Sequence, residues 1–155
     1  MKNDGSNRFC FGFTTVELVT VIVLLGILAA LAIPRFIARN AFDERGCFDQ
    51  LRSAVRYAQK VAVAQRRLVC VNVTPASIAL QFTTAGACNP ANPVLMPGES
   101  APYIVAVPAG VALAAGATFF YDGLGSPVPN AAQVFTVSGT SSRSFTVQAE
   151  TGYVD

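Results

Sequence analysis

Residues 12–34 read GFTTVELVTVIVLLGILAALAIP, and this stretch decides the fold of the N-terminal part of the chain. Between Phe13 and Ile33 the only charged side chain is that of Glu17. A helix over these residues would be about 30 Å long at about 1.5 Å per residue, which matches the hydrocarbon core of a bilayer. The pattern therefore predicts a membrane-spanning helix over residues 13–34.

The charges of this 155-residue chain, net +2, are unevenly distributed. Residues 35–67 carry eight Lys or Arg against three Asp or Glu, whereas residues 68–155 carry one Arg against four acids. Charges spaced singly along a helix usually form a solvated face, so the basic region favours solubility over nucleic-acid binding. The sequence has no histidine, the commonest general base and metal ligand. We therefore expect no enzymatic activity, no metal and no cofactor.

The first twelve residues, MKNDGSNRFCFG, form a short polar stretch that ends in Gly12. A secretory signal has an apolar core followed by a small-residue cleavage site. Here the order is reversed, because the apolar segment follows the glycine. An uncleaved signal anchor with a basic cytoplasmic tail is the alternative interpretation.

The stretch GFTTVEL at 12–18, the apolar run and Pro34 resemble the leader and N-terminal helix of type IV pilins and type II secretion pseudopilins. The resemblance implies that a prepilin peptidase removes leader 1–12 by cutting between Gly12 and Phe13, and that Phe13 becomes N-methylated. It also implies a single-pass protein of the bacterial inner membrane, with residues 35–155 in the periplasm. This protein would later enter a pilus or pseudopilus fibre. The implied partners are the peptidase, other major and minor pilins or pseudopilins, the inner-membrane assembly platform and membrane lipid.

Two residues depart from the commonest pattern of this family. Phe11 stands where Lys or Arg is frequent, and Thr15 stands where Leu or Ile is frequent. Neither changes the glycine at the cleavage site, the phenylalanine or the glutamate.

Glu17 would be the fifth residue of the mature chain, where the family has a glutamate. A carboxylate within a membrane helix costs roughly 2.5–3.5 kcal/mol on insertion scales, so such a residue is a functional candidate. Pairing of Glu17 with the Phe13 amine of a neighbouring subunit would enforce axial register in a fibre. The alternative is that Glu17 contacts lipid headgroups.

Beyond Pro34, where we expect a kink, the apolar residues keep a helical spacing. The sequence therefore predicts one helix from about 14 to 66, amphipathic in its second half. The apolar face comprises Phe48, Leu51, Ala54, Val55, Ala58, Val61 and Ala62. The basic residues Arg52, Arg56, Lys60 and Arg67 lie largely on the other side.

After Arg67 the period changes from 3.6 to 2. LVCVNVT (68–74) and SIALQFTT (77–84) predict a β-hairpin, and a loop rich in Pro and Gly follows at 85–102. Later strand candidates are YIVAV (103–107), ATFFY (117–121), QVFTV (133–137) and SFTVQA (144–149). The pattern predicts an α+β fold, with one antiparallel sheet of about five or six strands on the helix, and the resemblance to pilins implies the type IV pilin fold.

The C-terminal half resembles the GspH/FimT minor pilins and pseudopilins, most closely those of the mannose-sensitive haemagglutinin (MSHA) pilus group. The resemblance is carried by AVRYAQKVAVAQRRLVCV, FFYDGLGSP and the terminal ETGYVD. The family often has Gly-Arg where this chain has Gly125-Ser126. Some relatives bind DNA through arginines near the C-terminus, but only Arg143 is present here. Nucleic acid is therefore not an expected partner.

Removal of the leader, which contains Cys10, would leave three cysteines in an oxidising compartment. We favour a Cys70–Cys88 disulfide that encloses the hairpin, with Cys47 as a buried free thiol. A pairing of Cys47 stays open, because sequence alone does not fix connectivity. Three scattered cysteines without histidine do not match the spacing of a zinc site.

The sequence thus favours a structural subunit, a minor pilin or pseudopilin of a type IV pilus or type II secretion system. The alternative is a pilus-displayed binding module for DNA, a surface glycan or a secreted protein, with loop 85–102 as its recognition surface. An anchored enzyme would need a nucleophile paired with Lys60, and no motif supports that pairing.

Overall fold

The computed structural model describes residues 13–84 and 86–155, except for the side chains of residues 30–41. It contains one long helix and eight strands. The elements are α1 (Thr15–Gln65), β1 (Leu68–Thr74), β2 (Ser77–Thr83), β3 (Ile104–Ala106), β4 (Ala112–Ala115), β5 (Phe119–Tyr121), β6 (Pro127–Val128), β7 (Gln133–Ser138) and β8 (Ser142–Val147). The predicted α+β class and the predicted helix are confirmed. The chain divides into two units, residues up to Ile37 and Ala38–Asp155.

The N-terminal unit contains the beginning of α1, which is capped by Thr14. The Glu17 amide donates a hydrogen bond to Thr14 Oγ1 over 3.2 Å, and the Leu18 amide donates to the Thr14 carbonyl over 3.1 Å. A threonine hydroxyl at this position satisfies one of the free amides of the first helical turn. The hydroxyl of Thr20 donates to the Val16 and Glu17 carbonyls over 2.7 and 3.0 Å, so this polar group is satisfied within the helix.

Within the part of the chain that the structure describes, no helix is long and apolar enough to cross a membrane. The predicted span 13–34 extends past Ala29, into residues whose side chains lie outside the description. The predicted kink at Pro34 falls there too. Gly12 and the rest of leader 1–12 lie outside the described residues altogether.

In the second unit, α1 packs its predicted apolar face into a hydrophobic core. Leu51, Ala54, Val55, Ala58 and Ala62 have no exposed surface. They form one cluster with buried residues of the strands, and Phe48 packs against the edge of that cluster. A stripe at this spacing is what an amphipathic helix buries.

The larger sheet has five strands in the order β3-β2-β1-β5-β6, all antiparallel. The hairpin β1–β2, which was predicted, turns at Pro75-Ala76 between the paired residues Thr74 and Ser77. The Thr74 hydroxyl donates to the Ser77 carbonyl over 2.9 Å and accepts the Ser77 amide over 3.0 Å, which closes the turn.

A second sheet has three strands in the order β4-β7-β8. The prediction of a single sheet of five or six strands is therefore wrong for the described residues, where eight strands form two sheets. The sequence did not predict β4 and β6, because their composition and length are not typical of strands. β4 reads ALAA, and alanine has little strand preference, while β6 is two residues long and begins with proline.

Aromatic rings join the helix to both sheets. Phe48 of α1 meets Phe145 of β8 edge to face at 5.6 Å between centroids, and Phe145 stacks on Phe135 of β7 at 4.8 Å. Phe135 also meets Phe119 of β5 at 6.2 Å. The separations and the relative orientations of all three ring pairs are favourable for aromatic contacts. The core of this unit is therefore one continuous cluster shared by α1 and the two sheets.

Candidate functional site

The N-terminal residues singled out by the sequence lie at the start of α1. Phe13 is 74% exposed and precedes the helix, and Glu17 lies in its first turn. A negative charge there is favoured by the helix dipole. The Glu17 carboxylate is exposed and accepts no hydrogen bond from any described residue.

The first part of α1 exposes large apolar side chains on all sides. Its described residues include Val16, Leu18, Val19, Val21, Ile22, Val23, Leu24, Leu25, Ile27 and Leu28, whose exposed fractions run from 44% to 73%. A helix that is apolar all round is normally buried in a large protein or in a membrane. Exposing apolar surface to water costs about 25 cal/mol of free energy per Å². Burial of this surface, away from water, would therefore be favourable.

The C-terminal tail is held against the helix by a cluster that we call the tail clasp. It comprises the turn 122–126, the tail 150–154 and the α1 side chains Arg56 and Gln59. The Gln59 amide group, through Nε2, donates to the Gly125 carbonyl over 3.0 Å and to the Thr151 carbonyl over 2.9 Å. The clasp thus ties two distant segments to one helical residue.

The turn within the tail clasp is shaped by Asp122 and Gly125. Asp122 Oδ1 accepts the amides of Leu124 and Ser126 over 2.9 and 2.8 Å, as an Asx turn does. Gly125 has φ +89°, and a Cβ there would lie 2.9 Å from Val63 Cγ2. Gly125-Ser126 therefore lies in a turn packed on α1.

The tail itself is fixed by two further contacts. The Tyr121 hydroxyl is buried and donates to the Gly152 carbonyl over 3.2 Å. Burial raises the pKa of this phenol, so it stays a donor at any physiological pH. Arg56 donates through Nε and Nη2 to the Val154 carbonyl over 3.2 and 2.8 Å. Arg56 was predicted to belong to a solvated basic face, and it is half-buried in this contact instead.

Glu44 is a buried carboxylate that sequence reasoning missed. Its exposed fraction is 1%, and it accepts hydrogen bonds from the loop between β7 and β8. The donors are the Ser141 hydroxyl, the Ser141 amide at 3.0 Å and the Thr140 hydroxyl at 3.1 Å. Hydrogen bonds from the Ser141 side chain and then its backbone lower the pKa of Glu44. The charged form therefore fastens this loop to α1.

A disulfide joins Cys70 of β1 to Cys88, with the Cα atoms 5.5 Å apart. Cys47 is free and buried, and burial raises its thiol pKa. The described residues contain no cluster of three or more Cys, Asp or Glu that could hold a metal ion.

Loop 85–102, the predicted recognition surface, pairs with β2 through residues 92–94. The Phe82 amide donates to the Asn92 carbonyl over 2.8 Å, and the Val94 amide donates to the Leu80 carbonyl over 2.9 Å. Glu99 is the only charged residue of the loop. This short part of the loop thus extends the edge of the larger sheet.

The basic side chains of α1, and Arg67 just after it, have different surroundings. Arg67 stacks over the Phe82 ring at 4.4 Å, whereas Lys60 is exposed. Arg52 is half-buried, and its Nε atom is buried without a hydrogen-bond partner. Arg52, Arg56 and Lys60 line a surface groove of about 380 Å³ with Tyr57 and Tyr103, whose rings stack at 5.1 Å.

Comparison with known proteins supports the reading of the fold. No protein-family model matches the chain. The chain is 41% identical over 56 residues to the type IV narrow pilus major component PilA5 of Thermus thermophilus; the match covers 36% of this chain and 48% of that protein. The chain therefore spans about half the length of the curated relative it matches.

Two crystal forms of the type IV minor pilin FimU of Pseudomonas aeruginosa have a similar structure. One has a TM-score of 0.58 at 16% identity, covering 77% of this chain and 90% of that one. The other has a TM-score of 0.55 at 14% identity, with 72% and 90% covered. At such identities the likeness concerns the fold, and the fold is that of type IV pilins.

The fold is thus that of type IV pilins, and the resemblance of the chain to type IV pilins is confirmed. The finer resemblance to MSHA minor pilins stays a prediction. The curated relative is described as a pilus component and the structural neighbour as a minor pilin, which agrees with the prediction that the chain is not an enzyme.

Proposed function

We propose that the chain is a structural subunit, a minor pilin or pseudopilin, that assembles with other pilins into an envelope-spanning fibre. The observation that carries the proposal is the exposed apolar surface of α1 between Val16 and Leu28, on a chain with a pilin fold. In the membrane this surface would contact lipid. In a fibre, the same surface would pack against the helices of neighbouring subunits.

Assembly would follow cleavage by a prepilin peptidase between Gly12 and Phe13, and methylation of Phe13. Two features support this step. The sequence GFTTVE resembles the family's processing site, and Phe13 is exposed immediately before the first helical turn, which begins at Thr15. The partners of this stage are the peptidase, membrane lipid and the inner-membrane assembly platform. The C-terminal domain would then be in the periplasm.

Glu17 would set the register of the subunit in the fibre. Cleavage creates a positive amine at Phe13, one helical turn from the Glu17 carboxylate. Surrounded by apolar helices, an unpaired carboxylate would be strongly unfavourable, so subunits that bring it to a neighbour's amine would be favoured. The carboxylate is free to form such a pair, because within the described residues it has no partner.

The test uses the full chain in its own bacterium, with and without the prepilin peptidase, and a Glu17→Gln variant. We expect a peptidase-dependent N-terminus at methylated Phe13, by mass spectrometry, for both the wild type and the variant. We expect the variant to be at least about tenfold depleted from sheared fibres, because it loses the intersubunit charge pair. Thr20→Val, which removes a hydroxyl satisfied inside the helix, is the control and should assemble normally.

Two results would contradict the proposal. An intact Met1 start in both strains would leave a plain signal anchor. A Glu17→Gln chain that enters fibres like the wild type would remove the register role of Glu17.

A further inference from the structure

A polar depression lies between β2, the described part of loop 85–102 and the residues that follow α1. We call it the arginine pocket and define it by six of its lining residues, Arg67, Phe82, Thr84, Cys88, Asn89 and Asn92; its volume is about 290 Å³. This volume is near the lower end of the range for small-ligand sites. No acidic side chain lines the pocket, and the sequence has no Asp or Glu between Asp49 and Glu99.

The positive charge of the arginine pocket comes from Arg67, which is held over an aromatic ring. Its Cζ atom lies 4.4 Å from the centroid of the Phe82 ring, a separation typical of a cation–π contact. The Arg67 amide donates to the Ala62 carbonyl over 3.2 Å, which fixes the backbone at this point. Among the described residues, the guanidinium group forms no ion pair and donates no hydrogen bond. Arg67 is therefore a positioned cation whose N–H donors are unused.

The loop side of the arginine pocket is fixed by a disulfide and by β2. Cys88 is disulfide-bonded to β1. The Asn92 carbonyl accepts the Phe82 amide over 2.8 Å, and the Asn92 amide donates to the Asn89 carbonyl over 3.1 Å. Asn89 Oδ1 accepts the Ala91 amide over 3.0 Å, which leaves the Asn89 Nδ2 group as a donor. A ligand would therefore meet a preorganised surface, and binding would order few groups.

The lining side chains match the chemistry of a carboxylated sugar. A guanidinium group can form two parallel hydrogen bonds to a carboxylate. The Asn89 and Asn92 amides and the Thr84 hydroxyl supply both donors and acceptors, as sugar hydroxyls require. Nucleic acid, in contrast, is bound through several phosphates at once, and among the described residues Arg67 is the one cation that lines this pocket.

We propose that the arginine pocket binds the carboxylate of an acidic sugar, such as a uronic acid residue of a surface polysaccharide. Arg67 would hold the carboxylate, while Asn89 and Asn92 would bind neighbouring hydroxyls. The pocket would make the chain a binding module as well as a structural subunit. This proposal goes beyond the proposed function and does not depend on it, because the pocket shares no residue with the exposed apolar part of α1.

The experiment measures binding of trigalacturonate, a soluble trimer of a uronic acid, to the full chain in mild nonionic detergent by isothermal titration calorimetry. Maltotriose, a neutral trimer, and a single-stranded DNA oligonucleotide are the comparison ligands. Arg67→Gln removes the charge, and Arg67→Lys keeps the charge without the planar fork. Arg66→Gln is the matched control, because Arg66 is also exposed but does not line the pocket.

We expect trigalacturonate to bind, and maltotriose to bind at least about tenfold more weakly, because it offers no carboxylate. Arg67→Gln should weaken trigalacturonate binding at least about tenfold and Arg67→Lys at least about threefold, whereas Arg66→Gln should match the wild type. Circular dichroism checks that each variant folds, and Arg67→Lys decides the question if Arg67→Gln does not fold.

Four results would overturn the proposal. They are the absence of trigalacturonate binding, equal binding of maltotriose, wild-type affinity in a folded Arg67 variant, and an equal loss in Arg66→Gln. Tighter binding of the DNA oligonucleotide than of trigalacturonate would also overturn it, in favour of a nucleic-acid site. Because the chain is tested outside any fibre, failure of assembly would not affect these results.

Discussion

Replacement of Gly152 by alanine tests whether the tail clasp stabilises the domain. Gly152 has φ +64°, in the left-handed region that favours glycine. A Cβ there would meet the Gly125 carbonyl oxygen directly, and would lie 2.8 Å from Tyr121 Cε1 and 2.9 Å from Gln59 Nε2. The first of these atoms belongs to the backbone and cannot move without opening the turn.

The expected magnitude has two parts, which a control variant separates. An alanine in the left-handed conformation costs about 1–2 kcal/mol, and crowding in a well-packed site costs about 1–3 kcal/mol. Gly110 has φ +87°, but nothing lies within 4 Å of its Cβ position. Gly110→Ala should therefore lose about 1 kcal/mol of unfolding free energy, and Gly152→Ala about 3 kcal/mol.

The assay is urea unfolding of residues 38–155, followed by circular dichroism. Among the residues whose side chains are described, every buried hydrophobic residue lies between Cys47 and Val154, so this unit has its own core and we expect it to fold alone. The difference between the two variants, about 2 kcal/mol, is the quantity of interest. Equal losses in Gly152→Ala and Gly110→Ala would refute the view that the tail is tightly packed on α1.

Three further predictions concern the stability of the same domain. Leu51→Ala should cost about 2–5 kcal/mol in urea unfolding, because it empties a fully buried site; a loss below about 1 kcal/mol would contradict the packing described. Cys70→Ser/Cys88→Ser should cost about 3 kcal/mol, since the bond closes a loop with a sequence separation of 18; an unchanged midpoint would exclude a stabilising bridge. The pKa of Glu44 is lower in the folded domain than its ordinary value of 4.5. The charged carboxylate therefore stabilises the fold fully above pH 4.5, and this stabilisation is lost as the pH falls through the lower folded pKa. Glu44→Gln should therefore flatten the stability curve below about pH 5, and a variant curve with the wild-type shape would contradict the role of the Glu44 carboxylate.

Sequence reasoning succeeded where a local pattern determines the structure. The apolar spacing from Leu51 to Ala62 specified both the helix and its buried face, and the alternating runs around Pro75-Ala76 specified the first hairpin. The assignment of strands to two sheets could not be predicted, because an alternating pattern marks a buried face without naming the neighbouring strand.

The parts of the site that were missed depend on contacts between residues far apart in the sequence. Glu44 looks like an ordinary surface acid, and its partner Ser141 is 97 positions away. Arg56 belongs to a basic helical pattern, yet it is fixed by the Val154 carbonyl, 98 positions away. The local sequence around Glu44 or Arg56 therefore gives no indication of these partners. The role proposed for Glu17, in contrast, came from its local sequence.

The central claim is that this chain is a processed structural subunit of a fibre. The most direct test is to shear surface fibres from the bacterium, purify them, and determine the N-terminus of the chain they contain by mass spectrometry. We expect the chain to be present and to begin at N-methylated Phe13. A chain that is absent from the fibres and retained in the membrane with an intact Met1 start would contradict the proposed function.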